Sequence, residues 1–158
     1  MNWIIQKSKK ITCHTLLNEI LTPILNEVKD YNWIFSDIDY NDSQSKNLPI
    51  NMDDEYFVLT PKQFEIILNA DVQIWWGVVL GVPNHLKIAV NESNIPLAEG
   101  NALIWKDGNI QYPDAEIEII CFDSGYTIVK FKNEVLSKHF KVYFPEAIQL
   151  EKFSQSFI

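Results

Sequence analysis

Apolar residues recur along this chain in two rhythms. Leu16, Leu17, Ile20, Leu21, Ile24, Leu25 and Val28 repeat at helical spacing and form a wide stripe on one face. Pro23 falls inside that stripe, where its ring removes an N–H and clashes with the preceding turn. Because the stripe stays in phase across Pro23, the pattern predicts one kinked helix. Thr60-Pro61-Lys62-Gln63 announces a second helix: an N-cap, a proline at the first helical position and a capping-box glutamine, with Phe64, Ile67 and Leu68 facing inward. Asn133 caps a third, with Val135, Leu136 and Phe140 inside.

The second rhythm has period two and marks strands at residues 3–6, 32–40, 56–59, 116–122 and 126–131. Within 32–40 it places Trp33, Phe35 and Asp37 on one face, with Ile34, Ser36 and Ile38 on the other. At the start of 116–122, charge and apolar residues alternate as in a half-buried strand. Asp107-Gly108 suits a two-residue turn and predicts a hairpin over 104–111. Asp123-Ser124-Gly125 turns the chain between the last two strands. Residues 141–145 read as a further strand, followed by a short helix or an edge strand. No repeat, linker or composition break interrupts 1–158, which predicts a single α+β domain. Its expected architecture is a mostly antiparallel β-sheet with two or three helices packed on one side.

The most apolar run, QIWWGVVLGVP, carries two adjacent tryptophans. Consecutive side chains of a strand point to opposite faces, so Trp75 and Trp76 cannot share one. Val72, Ile74, Trp76, Val78 and Leu80 read as an uninterrupted core face. Opposite them, Gly77 and Gly81 leave room beside Trp75, and a strand glycine often marks close approach by another group. So apolar a run points to a strand covered on both faces, by helix or sheet packing. An exposed Trp75 would instead be an anchor for a partner.

Composition narrows the function classes. At 158 residues, 47% hydrophobic and 22% charged, the chain can bury a core without disulfides or metals. Its net charge of −8 argues against non-specific nucleic-acid binding, and the complete lack of arginine removes the bidentate fork that suits phosphate. The 21 isoleucines and 14 asparagines beside no arginine fit an AT-rich bacterial genome. No apolar run approaches the ~20 residues of a membrane helix, and the apolar-then-lysine start is the reverse of a signal peptide, so a cytoplasmic protein is expected. Cys13 and Cys121 form no CxxC pair and are expected to be free thiols in a reducing compartment.

Candidate chemistry is sparse. Asp37-Ile38-Asp39-Tyr40-Asn41-Asp42 begins like a calcium loop. It then places Asp42 where the loop needs glycine, and Leu48 where it needs a bidentate glutamate. His14, His85 and His139 have no metal spacing, and adjacent Cys13 and His14 diverge by about 100° along a helix. The five glycines contain no phosphate-cradling or nucleophile-elbow motif. No catalytic residue, metal or cofactor is expected. What stands out is charge: Asp37, Asp39, Asp42, Asp53, Asp54 and Glu55 lie close in sequence with Lys46 as the only cation among them. Together with Trp75 they form the candidate partner-binding set, suited to steering a basic protein.

The segments LLNEILTPI, DYNWIFSDIDY and AEIEIICFDSGYTIVKF resemble parts of small cytosolic bacterial proteins without an established activity. In size, acidity and α+β build the chain is also similar to immunity proteins that neutralise toxins of neighbouring cells, a likeness that carries over no residue roles. The leading expectation is a non-enzymatic binding protein for a basic partner, with an immunity-type inhibitor as its specific form. The alternatives are a small-molecule or enzymatic site beside Trp75, and a homo-oligomer formed through an open sheet edge.

Overall fold

The computed structural model describes residues 1–41 and 47–154. Its strands are β1 (Asn2–Ile5), β2 (Tyr31–Asn41), β3 (Tyr56–Leu59), β4 (Gln73–Pro83), β5 (Ile117–Phe122), β6 (Tyr126–Phe131) and β7 (Ile148–Gln149). They form one seven-stranded sheet in the order β3-β2-β4-β5-β6-β1-β7, and every pairing is antiparallel. Helices α1 (Leu17–Leu21), α2 (Pro61–Asn69), α3 (Glu134–Tyr143) and α4 (Leu150–Ser154) complete the α+β fold expected from the sequence.

One sheet face buries Trp3, Ile5, Trp33, Phe35, Val79, Ile117, Ile119, Val129 and Phe131 against α1, α2 and α3. Helix α2 follows its sequence signals: Thr60 Oγ1 accepts from the Gln63 N–H, Gln63 reaches back to the Thr60 N–H, and Phe64, Ile67 and Leu68 are buried. The first helical stripe differs from expectation. Proline stops α1 after five residues, and Thr22–Ile24 and Val28–Asp30 continue as separate 3₁₀ turns. Leu17, Ile20, Leu21, Ile24 and Val28 still face the core, whereas Leu25 is exposed. In α3, Asn133 caps the Val135 and Leu136 N–H groups, and Leu136 and Phe140 are buried. Val135 points outward instead of inward, because it lies a third of a turn away from that pair. Residues 141–143 finish α3 rather than forming a strand; β7 and α4 then take up both tail alternatives.

The opposite face is equally apolar. Ile4, Ile34, Val78, Leu80, Val82, Ile120 and Ile128 pack under residues 84–116, a long irregular crossover, and under Leu150 and Phe153 of α4. An irregular segment laid on a core has backbone groups that must find partners. The sheet supplies them. Ser36 Oγ donates to Pro96 O, the Tyr56 hydroxyl donates to Val90 O, and Asp37 Oδ2 accepts from the N–H groups of Ala98 (2.8 Å) and Glu99 (2.9 Å). Glu118 Oε2 accepts from the Gln111 N–H at 2.8 Å, and Lys130 Nζ donates to Asn109 O at 2.8 Å and Leu103 O at 3.4 Å.

Glu118 and Lys130 are direct cross-strand neighbours, 2.9 Å apart as an ion pair, with no side-chain exposure at either. The half-buried strand expected at 116–122 is therefore buried on both sides, because the crossover closes over the face that carries Glu118. Burial pulls the Lys130 ammonium below its ordinary pKa, and the Glu118 carboxylate opposes that shift. The hairpin expected over 104–111 is absent as well. The Asp107-Gly108 turn forms, with Gly108 at φ +75°, but Ala102–Trp105 is a 3₁₀ turn. Its carbonyl at Leu103, like that of Asn109, is turned onto Lys130 instead of along a strand partner.

Two register shifts separate β2 from β4, one between Ser36 and Asp39 and one between Asp39 and Tyr40. Asp37 sits at φ +55° opposite Gly77 at φ +139°. A Cβ on Gly77 would lie 2.5 Å from Ile38 Cδ1 and 3.0 Å from the Asp37 carbonyl oxygen, so only glycine fits the bulge. The shifts swap faces. Ile38, not Asp37, joins Trp33 and Phe35 on the helix side. The face expected to run from Val72 to Leu80 is likewise split: Val72 and Ile74 face the helices, while Trp76, Val78 and Leu80 face the crossover. Gly81 answers to a different neighbour, the Trp33 indole, which a Cβ would meet at 3.2 Å. Trp33 in turn stacks on Phe64 of α2 with centroids 4.2 Å apart.

Removing one member of the buried ion pair leaves the other charge uncompensated, a loss of about 3–5 kcal/mol in comparable sites. Lys130→Met should destabilise the protein on that scale in urea denaturation. Adding Glu118→Gln removes the stranded charge and keeps an oxygen for the Gln111 N–H, so the double variant should regain at least half of the loss. Equal stability of the single and double variants would show that charge burial is not what Lys130 offsets.

Candidate functional site

The bulge that exchanges faces also opens the surface. Trp75 is the extra residue of β4 at the second register shift, and it is 38% exposed. Trp76, next along the chain, is half-buried and packs on Phe122 at a centroid distance of 4.4 Å. Its indole N–H is buried without a hydrogen-bond partner among the described residues. Across from them comes the β5–β6 turn. Asp123 and Ser124 are both left-handed (φ +47° and +53°), a conformation that a tight hairpin demands and Asp tolerates. The Ser124 N–H reaches Trp75 O at 3.4 Å, which ties this turn to β4.

These pieces surround a cleft of about 450 Å³ lined by Asp39, Trp75, Trp76, Glu99, Asp123 and Ser124. Each carboxylate comes from a different element: Asp39 from β2, Glu99 from the crossover, Asp123 from the hairpin turn. None of the three side chains makes an ion pair or hydrogen bond among the described residues, and no described lysine lines the cleft. A smaller cleft of about 210 Å³ lies on the other side of the bulge, lined by residues that include Asp37, Asn51, Asp54, Glu55 and Phe57. Asp37 joins the two, since its carboxylate holds the Glu99 N–H while it lines the second cleft.

Of the residues singled out by sequence, Asp39 and Trp75 therefore meet in the larger cleft, and Asp37, Asp54 and Glu55 in the smaller. Asp53 is exposed on the adjoining turn, where its N–H donates to Asn51 Oδ1 at 3.1 Å. Asp42 lies outside the described residues. The sequence reading missed Glu99, Asp123 and Ser124, and took Trp76 for plain core. A signal existed for Asp123: it stands in a hairpin turn, and hairpin tips project from sheet ends. Glu99 had none, because an irregular segment has no period from which to read its direction. The start of a calcium loop at Asp37 is part of β2, and no three metal-ligating side chains gather anywhere among the described residues.

A second polar cluster is closed to solvent. His14 Nε2 donates to Gln6 O at 2.9 Å, so its Nδ1 accepts from the Thr127 hydroxyl at 2.8 Å. Thr127 meets Thr15 Oγ1 at 2.7 Å, and Thr15 hydrogen-bonds the Cys121 thiol. Burial pushes that thiol up to about 12, which disqualifies it as a nucleophile at neutral pH. Burial also lowers the pKa of His14, against smaller opposing effects of the Gln6 carbonyl and Glu19. The cluster is built to keep a neutral imidazole.

Comparison with models of known protein families, with curated proteins and with solved structures finds no match.

Two outcomes follow for this region. Trp75→Ala should cost less than about 1 kcal/mol in urea denaturation, whereas Trp76→Ala, which loses its packing on Phe122, should cost about 2–3 kcal/mol. Reversed costs would mean that the bulge does not place these side chains as described. For His14, the unfolded chain titrates near the ordinary value of about 6.5 and the folded chain below it. Stability is thus fully present above pH 6.5 and falls as pH drops through the folded value. Urea midpoints of the native protein should decline between pH 7 and pH 5, and His14→Gln should flatten that slope.

Proposed function

We propose that this protein is a non-enzymatic binding module of the cytoplasm that recognises a basic protein partner through the acidic face around β2, in the manner of an immunity-type inhibitor. The observation that carries this reading is the pair of clefts flanking the β2 bulge. Between them they are lined by Asp37, Asp39, Asp54, Glu55, Glu99 and Asp123, with an exposed tryptophan in the larger. Such a surface steers a positively charged partner and gives it an aromatic anchor.

A small-molecule or catalytic site beside Trp75 would be better supported by a basic lining, as most metabolites are anionic, and by a titratable group with a displaced pKa. The lining is acidic, and His14 and Cys121, whose pKa values are displaced, sit in the closed cluster instead. Both cysteines are free thiols, which suits a reducing compartment. No helix among the described residues is long and apolar enough to cross a membrane. The edges of the sheet, β3 and β7, each pair on one side only, but nothing distinguishes either as a contact for a second copy.

The test is capture of a partner from lysate of the source cell on immobilised protein, followed by binding kinetics of that partner at low and high salt. Exposed rim charges act mainly on encounter. Combined Asp53→Asn, Asp54→Asn and Glu55→Gln should therefore slow association more than it speeds dissociation. The difference should shrink at high salt, where screening shortens the reach of charge to about 3 Å at 1 M. Kinetics unchanged by the triple substitution would overturn the reading.

A further inference from the structure

We infer that the larger cleft is a receptor for one organic cation, the alkylammonium or guanidinium head of a lysine or arginine side chain presented by the partner. This inference rests on the proposed function and names the group that the acidic face receives.

The cleft's walls and its charges point to the same ligand class. Trp75 and Trp76 contribute indole rings, the strongest of the side-chain π-systems for attracting a cation. Asp39, Glu99 and Asp123 stand around the rings from three separate elements, and none is neutralised by a described neighbour. With three carboxylates that have no partner among the described residues, and low-dielectric aromatic walls, the cleft focuses a negative potential where a cation would sit. Its volume of about 450 Å³ is ample for a long side chain.

An inorganic ion fits less well. Metal binding needs several oxygen or nitrogen ligands gathered at one point, and no such group of three exists among the described residues. Carboxylates dispersed about an aromatic wall suit a cation that carries its own apolar stem: methylenes lie on the indoles while the charged head reaches the rim. The receptor is also held in shape before any ligand arrives. Asp37 fixes the backbone of Glu99, the Ser124 N–H is tied to Trp75 O, and the Asp37–Gly77 bulge places Asp39. Such preorganisation lowers the cost of binding.

The experiment uses the whole protein and three small probes: N-acetyl-lysine methylamide, N-acetyl-arginine methylamide and, as the neutral isostere, N-acetyl-norleucine methylamide. Indole N–H signals are followed by NMR as each probe is added at constant ionic strength. The two cationic probes should shift the Trp75 and Trp76 signals saturably in the millimolar range, leaving Trp33 unmoved. The norleucine probe should produce no saturable shift. Asp39→Asn and Asp123→Asn should each weaken the cationic probes about 3–10-fold, and Trp75→Ala should abolish their binding. Thermal melts of each variant, matched to the native protein, show that folding is not the cause.

Equal shifts from the norleucine probe, or no saturation by about 100 mM of either cation, would overturn the inference. The broader reading fails separately. If a captured basic partner shows salt-dependent association while Trp75→Ala leaves its affinity unchanged, acidic-face recognition stands and the cation receptor falls. If the cationic probes bind as expected and the captured partner ignores the rim carboxylates, the receptor stands and rim steering falls.

Discussion

A sheet that is apolar on both faces has to be covered twice, and this chain has helices enough for one side. The second side, apart from the part that α4 covers, is closed by an irregular segment of more than thirty residues, 84–116, whose peptide groups cannot satisfy one another as those of a helix do. The solution is to send polar side chains up from the sheet. Ser36, Asp37, Glu118 and Lys130 each end on backbone atoms of the crossover, and Glu118 and Lys130 also neutralise each other. A buried ion pair is weak evidence of stability on its own, since desolvation offsets much of its attraction. Here the pair has a further part: it supplies a donor and an acceptor to a backbone that would otherwise be buried unpaired.

The same need accounts for the bulge. Asp37 can reach the Ala98 and Glu99 N–H groups because β2 leaves its regular alternation there, in a left-handed turn of the backbone that Gly77 makes room for. The change of face then releases Trp75 toward solvent and brings Asp39 to the crossover side beside Trp76. Covering the core and shaping the cleft are thus two results of one irregularity. The clefts lie on either side of it, and Asp37 takes part in both the anchoring and the second cleft's lining.

Local signals were legible where they are complete within a few residues. The capping box at Thr60–Gln63, the Asn133 cap, the strand alternation and the Asp123-Ser124-Gly125 turn all form as their chemistry dictates, and together they identify an α+β fold. Failures occurred where a distant partner decides. Nothing within IEIICF says that Glu118 will be sealed under the crossover that precedes it and bonded to the Gln111 N–H, so alternation alone put it in water. Asp107-Gly108 does make a turn, but whether its flanks pair as strands depends on Lys130, more than twenty residues away. The bulge depends on an agreement between Asp37 and Gly77 that neither stretch shows alone. Accordingly Trp75 and Asp39 were identifiable as candidates, while the cleft that unites them with Glu99 and Asp123 was not.

The crossover is held by its buried side chains, Ala98, Ile104, Tyr112 and Ala115 among them, and by peptide groups bonded to the sheet, and this frees its outward-facing side chains from the duty of folding. Lys130 reads the carbonyls of Leu103 and Asn109, and Asp37 reads the N–H groups of Ala98 and Glu99, so the exposed side chains of Leu103 and Glu99 take no part in these bonds. Leu97, Glu99 and Leu103 all project outward. A lineage could therefore rewrite one wall of the cleft, changing its charge or its bulk, with little effect on how the strap is seated. Were the proposed partner to vary, such a wall would let recognition drift while the scaffold stays put.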